Sequence, residues 1–420
     1  FRAGVNAGNS IASGGNYNTL IGDEAGTALT TGDDNVAIGF EALKTEDEHG
    51  RNVAVGYQSL KTLNAGALAV TTTVGYKSGT SLTTGVQNVL IGGLSGDALT
   101  DADFNVAVGN NTLTTDTKGN KSTAIGYEAL TTQNFSTSTD SFNTAVGFQS
   151  GASVTTGTSN TLLGARSGDA LTTGSLNVAI GLDSLTTDTL GSRSVAVGLN
   201  ALQQQNFTTA TNVYNTAVGY EAGKVITTGV NNTLIGALAG DALTDADHNT
   251  AVGRASLSAD TLGSKSTAVG FQALSAQNFT TATDSFNTAV GFNTGVSVST
   301  GTDNTLIGAL AGDAIDTGSL NTAVGKNALG TDTKGNRSTA LGRFALGTQN
   351  FTTSTDTYNI GVGYSAGGAI TTGTLNTIIG GVAGDAINTG SAHTLIGYNA
   401  GSAITSADGI VAVGKDALEL

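Results

Sequence analysis

A five-residue stretch returns through the whole chain at fixed spacing, and nothing else in the sequence restricts the fold so tightly. It reads Asn-Thr-Leu-Ile-Gly at Asn18 to Gly22, Asn-Val-Ala-Ile-Gly at Asn35 to Gly39, and Asn-Thr-Ala-Val-Gly at Asn215 to Gly219. Its closing glycine recurs from Gly22 to Gly414 in steps of 17 residues, with one step of 19 and four of 21 that end at Gly147, Gly219, Gly291 and Gly363. A repeat this short cannot bury its own apolar face, so it implies stacked coils that cover one another. The fold expected is all-β: a parallel β-roll or β-helix solenoid of about 24 coils, since no apolar period near 3.6 lasts long enough for a helix.

The residue before each of these glycines is aliphatic, the one before that is mostly Ala or Leu, and the next back is mostly Thr or Val. Neighbouring strand residues point to opposite faces, so both faces are apolar or small and both need cover. One face fills the coil. The other calls for a partner, and a closed cyclic oligomer of identical chains supplies one. The pentapeptide opens with Asn in most units, Asn177, Asn215, Asn232 and Asn249 among them, and with Ser at Ser122, Ser194, Ser266 and Ser338. Stacked in register, these Asn side chains can form a hydrogen-bonded ladder beside the glycine column of Gly181, Gly219, Gly236 and Gly253. The alternative is a turn Asn acting alone in each coil.

A longer period lies over the short one. Four residues after each marker glycine stands Gly or Leu, in the order Gly, Gly, Leu, Leu, so that features return every 72 residues from about residue 75. Gly-Asp-Ala recurs at Asp97, Asp169, Asp241, Asp313 and Asp385, and a second turn glycine at Gly174, Gly229 and Gly301. Each coil therefore reads as two short extended stretches and two tight turns. At about 4.8 Å per coil the array would reach roughly 110–120 Å. The 21-residue coils carry Gln-Asn-Phe at Phe135, Phe207, Phe279 and Phe351, with a second aromatic at Phe142, Tyr214, Phe286 and Tyr358. These loops are the candidates for weak, multivalent contact with a glycan or receptor. Against that, burying a Phe is worth about 2 kcal/mol, which favours rings folded back on the loop base or packed on the next chain.

Residues 1–420 read as a single array, entered in mid-repeat at Phe1-Arg2-Ala3-Gly4, which predicts a longer parent protein. There is no Cys, hence no disulfide or thiolate metal site. A net charge of −15 argues against a nucleic-acid partner, and no apolar run suits membrane insertion. His49, His248 and His393 lie in different coil contexts and read as exposed turn residues, so neither a metal or cofactor site nor an enzyme is expected. The Gly-Asp-Ala acids recur too sparsely to share calcium and read as solvated turn residues.

Arg193-Ser194-Val195-Ala196-Val197-Gly198 and Leu176-Asn177-Val178-Ala179-Ile180-Gly181 resemble the repeat of trimeric autotransporter adhesin heads. Asn215-Thr216-Ala217-Val218-Gly219-Tyr220-Glu221-Ala222-Gly223 looks still more like the β-roll repeats of phage tail fibres, as do the 17-residue coil and the superperiod. The resemblance implies a left-handed roll, a homotrimer, and a place on a virion appendage or cell surface, where it serves as the shaft of a fibre for host attachment. A bacterial adhesin or secreted filament is the alternative. A solenoid binding ice or carbohydrate would need Thr in matched outward positions, whereas Thr here alternates with Val and looks half-buried.

Overall fold

The computed structural model describes residues 1–419, and every regular element among them is a β-strand. The chain divides into two compact units, Phe1–Tyr214 and Asn215–Leu420. Within the first, parallel strands stack from Arg2–Ala3 and Thr19–Ile21 to Val195–Val197; within the second they run from Thr216–Val218 to Val411–Val413. The result is an all-β parallel solenoid of about 24 turns with coil spacing near 17 residues.

Each coil gives this ladder one three-residue strand. In the pairing of Thr233–Ile235 with Thr250–Val252, Thr233 lies against Thr250, Leu234 against Ala251, and Ile235 against Val252. The middle residue is buried and the flanking two are partly exposed, as two-residue alternation requires. Leu20, Ala37, Ala54, Leu90, Ala107 and Ala124 form the interior column of the first unit. The Thr/Val and Ile/Val columns face outward.

The marker glycine is fixed by backbone crowding. Gly236 has φ of 131°, and a Cβ there would lie 2.6 Å from the Gly253 carbonyl oxygen of the next coil. That φ is open in practice only to glycine. The same contact repeats from coil to coil, which explains why the period never lapses.

The Gly/Leu alternation four residues later is a matter of core volume. Gly26 and Leu43 both occupy left-handed backbone, at φ of 55° and 48°. In the Gly coil, Leu20 and Leu29 fill the interior, and a Cβ on Gly26 would meet each of them at 2.8 Å. In the Leu coil, the strand contributes only Ala37, and Leu43 turns inward to take the space. Left-handed backbone costs a Leu about 1–2 kcal/mol, while its full burial returns about 1.5–3 kcal/mol. The exchange holds.

The expectation of two extended stretches per coil is met only in part. A second strand forms only at the wide coils, where Gly119–Asn120 pairs with Thr139–Asp140, Gly191–Ser192 with Thr211–Asn212, Gly263–Ser264 with Thr283–Asp284, and Gly335–Asn336 with Thr355–Asp356. Elsewhere among the described residues that side uses isolated bonds such as Thr227 N to Thr244 O.

Gly236→Ala should destabilise the protein by about 2–4 kcal/mol. Gly381→Ala, whose added Cβ would meet nothing closer than a Tyr398 ring carbon at 3.6 Å, should stay within about 0.5 kcal/mol. Denaturant midpoints of the two variants check this contrast.

Candidate interaction surface and its supports

The Asn residues do build a ladder, with amide-to-amide rungs from Asn232 Nδ2 to Asn215 Oδ1 and from Asn304 Nδ2 to Asn287 Oδ1 at 3.2 Å, but most of its rungs run from side chain to main chain. Asn215 Oδ1 accepts the Asn232 amide, Asn232 Oδ1 that of Asn249, and Asn249 Oδ1 that of Ser266, each at 2.9 Å. Asn177 Oδ1 accepts the Ser194 amide at 2.9 Å. Each Nδ2 donates within its own coil to the carbonyl 14 residues on: Asn215 to Gly229 and Asn232 to Ala246 at 2.7 Å, Asn249 to Gly263 at 2.9 Å, and Asn177 to Gly191 at 3.0 Å. Asn suits the position because one short side chain carries both an acceptor and a donor. It clasps the strand of one coil to the turn that begins the next. His393 replaces an Asn in this role: its Nδ1 accepts the Ile410 amide at 3.2 Å, and burial holds its pKa below the usual histidine value.

The outward face begins one residue later. No Asp, Glu, Lys, Arg or His occupies either outward position of any three-residue strand from Thr19–Ile21 to Val411–Val413. Ile91, Ile235, Ile307 and Ile379 on this face are 37–39% exposed. In a chain of 17 basic and 32 acidic residues, an uncharged β-branched face of this extent is the dominant surface feature.

Aromatic and charged residues border it. After the glycine column, Phe40, Tyr57 and Tyr76 stack with 5.4 Å between successive centroids, and Tyr127 stacks with Phe148 at 5.5 Å. On the opposite border, before the Asn, Lys121 Nζ lies 5.2 Å from the Phe142 ring centre and 2.5 Å from Asp140 Oδ2. Lys265, Phe286 and Asp284 repeat the group, as do Arg337, Tyr358 and Asp356. Arg193 faces Tyr214 in the same way, with Asn212 in the acid's place.

The loop phenylalanines are not contact knobs. Phe135, Phe207, Phe279 and Phe351 are each only 6% exposed, because the four extra residues curl back over a buried polar network. The second aromatic is presented instead: Phe142 is 55% exposed.

That network was not anticipated from the sequence. Gln133 Nε2 donates to Asp116 Oδ2 at 2.6 Å and to Ser122 Oγ at 2.9 Å, while Gln133 Oε1 accepts Asn143 Nδ2 at 2.9 Å. Asp116 Oδ1 accepts the Gly119 and Phe135 amides. The group recurs at Asp188–Gln205, Asp260–Gln277 and Asp332–Gln349. These positions lie seven residues after the marker glycine, where the Gly coils carry Leu82, Leu99, Val154 and Leu171. Two polar residues in successive coils, at a site that is otherwise apolar, in every 72 residues were the available signal. In the first pair of Leu coils, before residue 75, Glu46 and Leu63 stand at this point instead, with His49 where later copies have glycine.

Glu46, Asp47 and His49 form the only close grouping of metal-ligand side chains among the described residues, with donor atoms within 4.8 Å of one another. His49 therefore sits beside a buried carboxylate, and His393 is buried; the reading of both as exposed turn residues is corrected. The Gly-Asp-Ala acids are half-buried and so only partly solvated. Oδ1 of Asp97, Asp169, Asp241 and Asp313 is buried without a hydrogen-bond partner, and burial raises all four pKa values. Neither a protein-family model nor a curated protein matches this chain.

Burial also raises the pKa of Glu46 and Asp188. A carboxyl whose folded pKa is raised stabilises the fold below its unfolded value and loses that contribution as pH rises through the folded one. Glu41 opposes the trend, held at about 2 by Lys44 and Lys61, as do Glu128, Asp140 and Asp416, whose pKa values are lowered by hydrogen bonds and ion pairs and whose contribution is lost in strong acid. The unfolding midpoint should therefore rise as pH falls from neutral toward about 5, with Asn at positions 97, 169, 241 and 313 flattening the rise. Gln277→Leu should destabilise by about 2–5 kcal/mol at neutral pH, since it strips Asp260, Ser266 and Asn287 of a shared partner.

Proposed function

We propose that the chain is a structural shaft: three copies of a left-handed β-roll packed around one axis to form the stem of a fibrous appendage, of the kind a phage tail fibre uses to reach its host. The supporting observation is the outward face, uncharged along the strands of both units in an acidic chain. In each unit it is roughly 10 Å wide and more than 50 Å long, about 500 Å² per copy and about 1,000 Å² for a pair, where specific interfaces begin. Like charges would oppose self-association; this face has none to overcome. Backbone ladders along the axis and apolar contact across it give stiffness, and stiffness is what a spacer supplies. A cellular adhesin stalk or secreted filament would use the same physics.

One observation favours a second reading. Thr216, Thr233, Thr250, Thr267, Thr288, Thr305, Thr322 and Thr339 lie outward and in register, the array a lone chain would use on ice or a crystalline polysaccharide.

Light scattering should give three times 41.5 kDa. Ile235→Glu with Val252→Glu should reduce it to the single-chain mass with an unchanged far-ultraviolet spectrum. A parent protein that is monomeric and adsorbs to ice would favour the Thr-array reading.

A further inference from the structure

We infer that the 72-residue superperiod is a register code between copies of this chain, written in the two borders of the outward face. The inference rests on the trimeric reading. The partner is a second copy at the same axial level, and the residues that meet are those bordering the same coil.

The outward face cannot set its own register. From Thr233 to Thr339 one outward column is Thr in every coil, and the other is Ile, Val or Leu. Two such faces slid by one coil, about 4.8 Å, regain nearly identical contacts. A shaft built on them alone would assemble with ragged ends.

From Gln87 to Tyr358 the borders differ from coil to coil and return only every fourth, whereas Asp34, Val70 and Leu375 outside that span depart from the order. Before the Asn, the first unit runs Gln87, Phe104, Lys121, Phe142, Ser159, Leu176, Arg193; the second runs Asn231, His248, Lys265, Phe286, Asp303, Leu320, Arg337. Polar, large, cation, aromatic is the order. Every one of these residues has left-handed backbone with φ between 48° and 66°, a conformation equally accepting of Ser159, Asn231 and Asp303. Folding of the single chain therefore does not demand an aromatic at Phe142 or Phe286, each more than half exposed.

After the glycine, the other border has the same phase. The coil with Phe142 ends in Phe148, that with Phe286 in Phe292, and that with Tyr358 in Tyr364. The coils with Gln87, Ser159, Asn231 and Asp303 end in Gly93, Ala165, Ala237 and Ala309, and those with Lys121 and Lys265 end in Tyr127 and Phe271. When flat faces close around an axis, the leading border of one copy meets the trailing border of the next. Closure requires only that the axial steps around the ring sum to zero, so a stagger of one coil up at one contact and one coil down at another competes with the level arrangement. In the level arrangement equal coils meet: ring on ring at the four aromatic coils, cation on ring at Lys121 with Tyr127 and Lys265 with Phe271, and polar on small at Ser159 with Ala165, while Arg193 meets Leu199 and Arg337 meets Arg343. A shift by one coil up sets Phe142 against Ala165 and Ser159 against Leu182 and loses all four ring pairs, while a shift down keeps rings against Phe142 and Phe286, at Tyr127 and Phe271, and sets Tyr214 and Tyr358 against Leu199 and Arg343. The nearest shift that restores all four is four coils.

The chain contains no cysteine, so introduced thiols report cleanly. Ser159→Cys with Ala165→Cys marks equal coils; Ser159→Cys with Leu182→Cys marks a one-coil shift. Under mild oxidation of the trimer the first pair should cross-link at least about tenfold more than the second, a ratio a few aromatic contacts can sustain. Changing the exposed Phe142, Tyr214, Phe286 and Tyr358 together to Ser should leave the strand signature intact and cut that ratio severalfold. Comparable yields from both pairs in a trimeric parent overturn the register code but leave the trimer standing, and so does a ratio unmoved by the four Ser changes. A parent of single-chain mass overturns both readings.

Discussion

The fold depends on a backbone contact that leaves no room for a side chain. At Gly236, Gly253 and their counterparts, a Cβ would run into the carbonyl of the next coil's glycine, so the chain must place glycine at every turn of the ladder. That contact fixes the coil-to-coil spacing, and the spacing fixes the rest. The Asn clasp, one side-chain bond to the next coil and one within its own, works only at that separation. Regularity in the sequence is thus the imprint of a single steric demand made over and over.

A coil this small has little interior, and its composition shows how the space is shared. Leu20 with Leu29, Ala37 with Leu43, and Ala124 with Leu130 beside Gln133 are different ways to fill nearly the same cross-section. Close packing makes them interchangeable only as sets. The polar sets carry a penalty, a carboxylate out of water, which Asp116 offsets with three N–H donors. In return they anchor the wide coils that hold Phe142 and its counterparts at the border of the outward face.

Most of the architecture was legible in the sequence because it is written in period. The marker glycine, the Asn column, the 72-residue order and the two-sided apolar strand need only counting. What the count missed depends on where a residue sits in three dimensions. Phe135 and Phe142 are seven residues apart in one loop, yet one is buried and the other exposed, since only Phe135 reaches back over Asp116. Asp116 and Gln133 look like loop residues until their coils are aligned with those of Leu99 and Val154. Left-handed Leu43 is invisible to propensity, which assigns that backbone to glycine.

The central claim is that the outward Ile/Val columns, open in the single chain, are covered in the working assembly. Hydroxyl-radical footprinting of the native protein measures that cover residue by residue. Ile235 and Ile307 should react far more slowly than Leu68, an exposed loop residue of comparable accessibility in the lone chain. Equal labelling of all three would mean that the face stays in water, and the account of the chain as a self-assembling shaft would be wrong.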